Sequence, residues 1–110
     1  MSDVKRSPKP QILFEENREA FNRAVEKGQR PDFSNQNLSD LDLSGFNLKT
    51  ANLAGAYLRG ANLNGQDLSE ANLHGASLKQ AKISGCLFPT NISAEEIRLS
   101  VDLGTRMRQS

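Results

Sequence analysis

Residues 51–65 read ANLAGAYLRGANLNG, three successive groups of five in which Ala opens, Leu stands third and Gly closes. Neither regular element can use a leucine at every fifth position. On an α-helix five residues turn the chain by about 500°, so successive leucines fall about 140° apart and spread around the cylinder. On a straight strand an odd spacing throws them onto alternate faces. Each group of five must therefore contain a turn.

Working outward, the register extends far beyond this stretch without a slip. Its central apolar residues are Phe33, Leu38, Leu43, Leu48, Leu53, Leu58, Leu63, Leu68, Leu73, Leu78, Ile83 and Phe88. Two residues before each stand Pro31, Gln36, Leu41, Phe46, Ala51, Ala56, Ala61, Gln66, Ala71, Ala76, Ala81 and Cys86. Internal repetition is the dominant signal of the chain. Residues two apart share one side of a short extended piece, so Ala and Leu point inward together, and the Asp or Asn between them points outward. The two residues after each Leu are small, polar or Gly, as turns require. Each pentad is an edge and a corner. Corners of one hand wind the chain into a solenoid whose coils stack about 4.8 Å apart.

Composition agrees with a narrow core. The 110 residues are about one domain in length; aromatics make up 5% and Trp is absent, so Leu and Ala must fill the interior. Fourteen Lys and Arg against thirteen Asp and Glu leave a formal charge of +1, which recommends neither nucleic acid nor an acidic field. The lone cysteine, Cys86, excludes an internal disulfide and fits a reducing compartment. Residues 1–10 (MSDVKRSPKP) lack the apolar stretch of a signal peptide, and no run approaches the ~20 residues of a membrane span. The expected location is cytoplasmic.

The sequence divides into a disordered basic tail (1–10), an N-terminal helical region (11–30), the pentads (31–90) and a C-terminal helix and tail (91–110). Phe14, Phe21 and Val25 share one helical stripe, and Gly28 and Pro31 end it. Ser93-Ala-Glu-Glu96 reads as a capping box opening a helix to about Leu103, with Ile97 and Val101 inward, Leu99 and Leu103 broadening the stripe, and Gly104 stopping it. Thr105 to Ser110 reads as a tail.

Ala-Asn-Leu-Ala-Gly, Ala-Asn-Leu-Asn-Gly and Ala-Asn-Leu-His-Gly resemble the pentapeptide-repeat family, whose motif is Ala, then Asp or Asn, then Leu, then two variable residues. The resemblance implies an all-β solenoid, a right-handed quadrilateral β-helix with four pentads per coil. Twelve pentads then make three coils, 31–50, 51–70 and 71–90, on the order of 15 Å tall. Both open ends need covering. The expectation is an N-terminal and a C-terminal capping α-helix, with Leu41 and Phe46 under Phe14, Phe21 and Val25, and Phe88 near Ile97 and Val101. A monomer is favoured; end-to-end dimerisation at the C-terminal end, which related proteins use, is the alternative.

No residue set points to chemistry. His74, the only histidine, follows Leu73 at a corner and has no metal-spaced partner. Cys86 stands at an inward position without a His to activate it. Asp40 and Asp42 sit at a corner and an outward edge with no pocket, and the glycines recur singly as corner residues. Gln66 replaces an inward alanine and is read as a structural departure bonding backbone at a corner, so that Gln66→Ala is expected to be neutral or mildly stabilising. No enzyme, cofactor or metal site is expected.

Surface remains. With four pentads per coil, one face displays Asn37, Tyr57 and Ser77, then Ser39, Arg59 and Lys79. Tyr57 is the only tyrosine, and Tyr and Arg are enriched at binding hot spots. Tyr57, Arg59 and Lys79 are thus the candidate partner-binding face. The leading functional reading is a non-catalytic protein–protein interaction or scaffold module with an unidentified protein partner. The resemblance adds a rival, protection of DNA gyrase by imitating duplex DNA, which needs a long acidic rod. Residues 31–90 carry five acids (Asp32, Asp40, Asp42, Asp67, Glu70) and four bases (Lys49, Arg59, Lys79, Lys82), a net of −1, and argue against it. The third reading, nucleic-acid or membrane-surface binding by the basic tails, has only Lys5, Arg6, Lys9, Arg106 and Arg108 to carry it.

Overall fold

The computed structural model describes residues 18–110. The disordered-tail reading of residues 1–10, the first part of the N-terminal helical region and Phe14 lie outside the described residues. Two helices bound the pentads: α1, Arg18–Glu26, and α2, Ala94–Leu103.

Between them the chain meets itself every twenty residues. Parallel bridges join Asp32 to Asn52, Asn52 to Asn72, Asn37 to Tyr57, Tyr57 to Ser77, Asp42 to Asn62, Asn62 to Lys82 and Asp67 to Leu87. Each bridge is isolated, and no regular strand forms among the described residues. The physical reason is the pentad: only three residues separate one corner from the next, too few for a ladder to propagate. Twenty residues per return, at five per pentad, is four pentads.

The corners follow from local chemistry. The carbonyl of each central apolar residue from Phe33 to Ile83 accepts the amide three residues on, as Leu53 does from Ala56 and Leu58 from Ala61, both at 3.0 Å. The third residue of these turns has positive φ at Gly45, Gly55, Gly60, Gly65, Gly75 and Gly85, and also at Asn35, Asp40 and Gln80. That is the pattern a type II turn demands, and Gly or a short polar side chain tolerates it best. One column of corners, Thr50, Glu70 and Thr90, is not left-handed; β-branched Thr is a poor occupant of that region. The outward Asx explains itself in the same way. The side-chain oxygens of Asp32, Asn37, Asp42, Asn47, Asn52, Asn62, Asp67 and Asn72 each accept the amide two residues ahead, at 3.0–3.2 Å, fixing the entry to the turn.

Inside, the Leu column and the Ala column close the core. Leu38, Leu43, Leu53, Leu58, Leu63, Leu68, Leu73 and Leu78 are wholly buried, as are Ala51, Ala56, Ala61 and Ala76. Burying each leucine contributes about 1.5–3 kcal/mol. Ile83 and Phe88, expected inward with the others, are only partly buried: like Leu73 and Leu78 they have no further coil over them, but the amides of Leu73 and Leu78 are met by Gln109 and Ser100 of the C-terminal segment.

At the first coil, Phe21 of α1 stacks on Phe33 (centroids 6.2 Å apart) and meets Phe46 edge-on at 5.3 Å. Asn22 supplies polar matching: its amide nitrogen donates to Gly45 O at 2.9 Å and its oxygen accepts from Asn47 N at 2.7 Å. At the third coil, α2 is capped before its first residue by Ser93, whose hydroxyl accepts from Glu96 N, and after its last by left-handed Gly104. The expected capping box is half present: the Glu96 carboxylate accepts from the amide and guanidinium of Arg108 instead. Residues 105–110, read as a tail, lie along the third coil. Met107 is buried and exchanges backbone hydrogen bonds with Gly75 and Ala76, at 2.6 and 2.9 Å. Leu99 and Leu103, expected to broaden the inward stripe, are 38% and 64% exposed, since Ile97, Ser100 and Val101 already face the coil.

Candidate interaction face

Tyr57 occupies the outward position that Asn or Asp holds in most pentads, bridged to Asn37 on one side and Ser77 on the other. Being neither Asn nor Asp, it cannot fold back onto the turn, and the residue is 45% exposed. Arg59 and Lys79 follow the central leucines of the same two edges, one coil apart.

The structure adds two residues to this face that the sequence did not bring there. The Arg106 guanidinium lies over the Tyr57 ring, 4.8 Å from its centroid, and donates to the Tyr57 hydroxyl and to Gly75 O. Leu103 lines the rim of the same cleft. Nothing in the sequence signals a contact across the 49 residues between Tyr57 and Arg106. Gly104 fixes both neighbours: its carbonyl accepts from Ser77 Oγ at 3.0 Å, and the Lys79 stem lies where a β-carbon on Gly104 would come within 3.0 Å of Lys79 Cδ. The resulting open cleft of about 490 Å³ is lined by Tyr57, Arg59, Lys79, Leu103 and their polar neighbours. A depression of about 550 Å³ lies beside the end of α1, but of its two cations Lys49 is already 3.7 Å from Glu70 and 4.0 Å from Asp67, and Arg30 Nε donates to Thr50 O at 2.7 Å.

The remaining sequence candidates do not converge. His74 is exposed, and its Nδ1 accepts from Gln109 N at 3.1 Å. Cys86 Sγ lies 2.8 Å from Leu63 O, and burial pushes its thiol pKa up. Gln66 is buried in the same column, and its amide donates to Leu43 O at 2.6 Å, so it does bond backbone as read. Asp42 is engaged by the hydroxyl and amide of Ser44, which hold its carboxyl below the usual range, while Asp40 sits at a left-handed corner. Among the described residues no three His, Cys, Asp or Glu side chains gather as metal ligands would. No helix among the described residues is long and apolar enough to cross a membrane.

Bridges returning every twenty residues, with a filled interior and the variable side chains outside, define a stacked-repeat protein. Residues 51–88 match the family model for pentapeptide repeats in eight copies, which supports a pentapeptide-repeat protein. No curated protein and no solved structure matches the chain.

Proposed function

We propose that the chain is a non-catalytic protein–protein interaction module built on a short right-handed quadrilateral β-helix of three coils, with α1 and α2 as its end caps. The twenty-residue bridge spacing supports the four-pentad coil, and the contacts of Phe21 and Asn22 at one end and of residues 100–109 at the other support the caps. The observation that carries the function is the cleft around Tyr57: an aromatic ring and cations that make no ion pair among the described residues, held at defined positions on the stack, the composition of a binding hot spot. Tyr57, Arg59 and Lys79 contact the partner in this reading.

Affinity capture from cell lysate with the wild-type chain and with the triple variant Tyr57→Ala, Arg59→Ala, Lys79→Ala tests it. A partner retained by the wild type and lost by the folded variant is expected; equal retention overturns the assignment of the face. The protein is a monomer in this reading. End-to-end dimerisation at the C-terminal end is the alternative, which sedimentation of the full chain distinguishes.

A further inference from the structure

We infer that the Tyr57 cleft receives an acidic, extended segment of a protein partner, with an apolar side chain of that segment set against Leu103. The inference rests on the reading of this face as the working surface and adds the chemistry of what it holds. Arg59 and Lys79 line one cleft, Arg106 lies over the ring of Tyr57 at its side, and none of the three makes an ion pair among the described residues, whereas Arg23, Lys49 and Arg108 are each within 4.0 Å of a carboxylate. Three cations left without counter-ions, beside a half-exposed tyrosine, form a positive patch on a chain of formal charge +1.

Their placement is fixed. Arg59 and Lys79 ride on the edges bridged through Tyr57 and Ser77, so their stems stand about 4.8 Å apart. The Lys79 stem is held against Gly104. Arg106 is anchored by its bonds to Gly75 O and the Tyr57 hydroxyl, which leave further guanidinium N–H groups to donate. Carboxylates at alternate positions of an extended segment recur about 6.6–6.8 Å apart on one face, within reach of such long side chains. Leu103, 64% exposed at the rim, offers apolar contact that a phosphate backbone does not use. Three cations are also few for a nucleic acid, whose affinity comes from many phosphate contacts.

The test uses the full chain and a fluorescein-labelled ten-residue peptide in which Glu and Asp alternate with Ser around one central Leu, read by fluorescence anisotropy at low salt. Saturable binding is expected. Arg59→Glu, Lys79→Glu and Arg106→Glu should each weaken it about fivefold or more, while Lys82→Glu on the neighbouring edge changes it less than about twofold. Raising the salt to about 0.5 M should abolish it. Thermal melting of each variant verifies that it is folded. Absence of saturable binding to about 1 mM, equal affinity across the folded variants, or tighter binding of an oligothymidylate than of the peptide each overturns the inference. If the peptide fails while capture of a lysate partner still depends on Tyr57, the acidic class alone falls. If capture is also indifferent to Tyr57, Arg59 and Lys79, the interaction reading falls with it.

Discussion

The pentad body and the C-terminal segment satisfy the same backbone groups by opposite means. In the middle coil Leu58 N donates to Ser77 O and Gly60 N to Lys79 O, each to the coil twenty residues on. The equivalent groups of the third coil have no further coil. There Leu78 N donates to Ser100 Oγ at 2.8 Å and Gln80 N to Val101 O at 2.9 Å. Leu73 N donates to the side-chain oxygen of Gln109, as Leu53 N does to Asn72 O. A repeat supplies partners for its own interior automatically, because every pentad meets a copy of itself. Its last copy must borrow them from residues of any type that reach the right place, and buried amides left without partners are costly.

That contrast can be broken most severely in the body. Leu58→Asp puts an unpaired charge into a fully buried column and should unfold the chain, since its cost of several kcal/mol is comparable to a total stability of about 5–15 kcal/mol. Unchanged circular dichroism and thermal melting would show that the leucines do not point inward. Met107→Ala attacks the borrowed end instead. Loss of a buried side chain there should cost about 2–4 kcal/mol. Hydrogen exchange should speed at Gly75, Leu78 and Gln80 well before it does at Leu53 and Leu58; uniform acceleration would mean that the segment and the body unfold as one unit.

Gln66→Ala probes a departure within the body. The sequence suggested a neutral or mildly stabilising change, but the Gln66 amide satisfies Leu43 O in a buried column, so the expected loss is about 0.5–1.5 kcal/mol, read from denaturant unfolding.

The smallest effect is that of acid. The amide and hydroxyl of Ser34 hold Asp32 below the usual carboxylate range, and the hydroxyl and amide of Ser44 and Ser69 do the same for Asp42 and Asp67. In the C-terminal segment the amide and then the guanidinium of Arg108 lower Glu96. A carboxyl group with a folded pKa below its unfolded value contributes stability that is fully present above the unfolded pKa and is lost as the pH falls through the folded one. The melting temperature should therefore be flat above about pH 5 and fall below about pH 4. Ser44→Ala should reduce that fall, and an unchanged acid limb would remove Asp42 from the account.

Much of this was legible residue by residue. The five-residue spacing of Leu53, Leu58 and Leu63 required a turn in each group, and Gly55, Gly60 and Gly65 adopt the left-handed conformation that such turns need. Ser93 and Gly104 marked the ends of α2 one residue outside the helix. Glu96 was misread as the second half of a capping box because the nearer backbone partner was the only one visible along the chain; Arg108 reaches it after the chain reverses. The same reversal explains residues 105–110, which look like a polar tail until Met107 is seen buried under the last coil. Of the candidate face, Tyr57, Arg59 and Lys79 could be assigned once twenty residues were taken as one coil, while Arg106 and Leu103 could not.

By itself the sequence determined what is local or periodic: the corner in every pentad, the inward Leu and Ala, the outward Asx and the helix limits. Each depends on φ/ψ preference, side-chain alternation or a hydrogen bond to an amide two or three residues away, and those forces act within the reach of a few residues. Only the tertiary structure decided how the repeat stops and what its surface assembles. Gln109 beneath Leu73, Ser100 beneath Leu78 and Arg106 over Tyr57 are encounters across 22 to 49 residues between segments that share no pattern. They are selected by which unpaired backbone group or exposed ring happens to lie within reach once the coils have stacked, and no spacing along the chain records that.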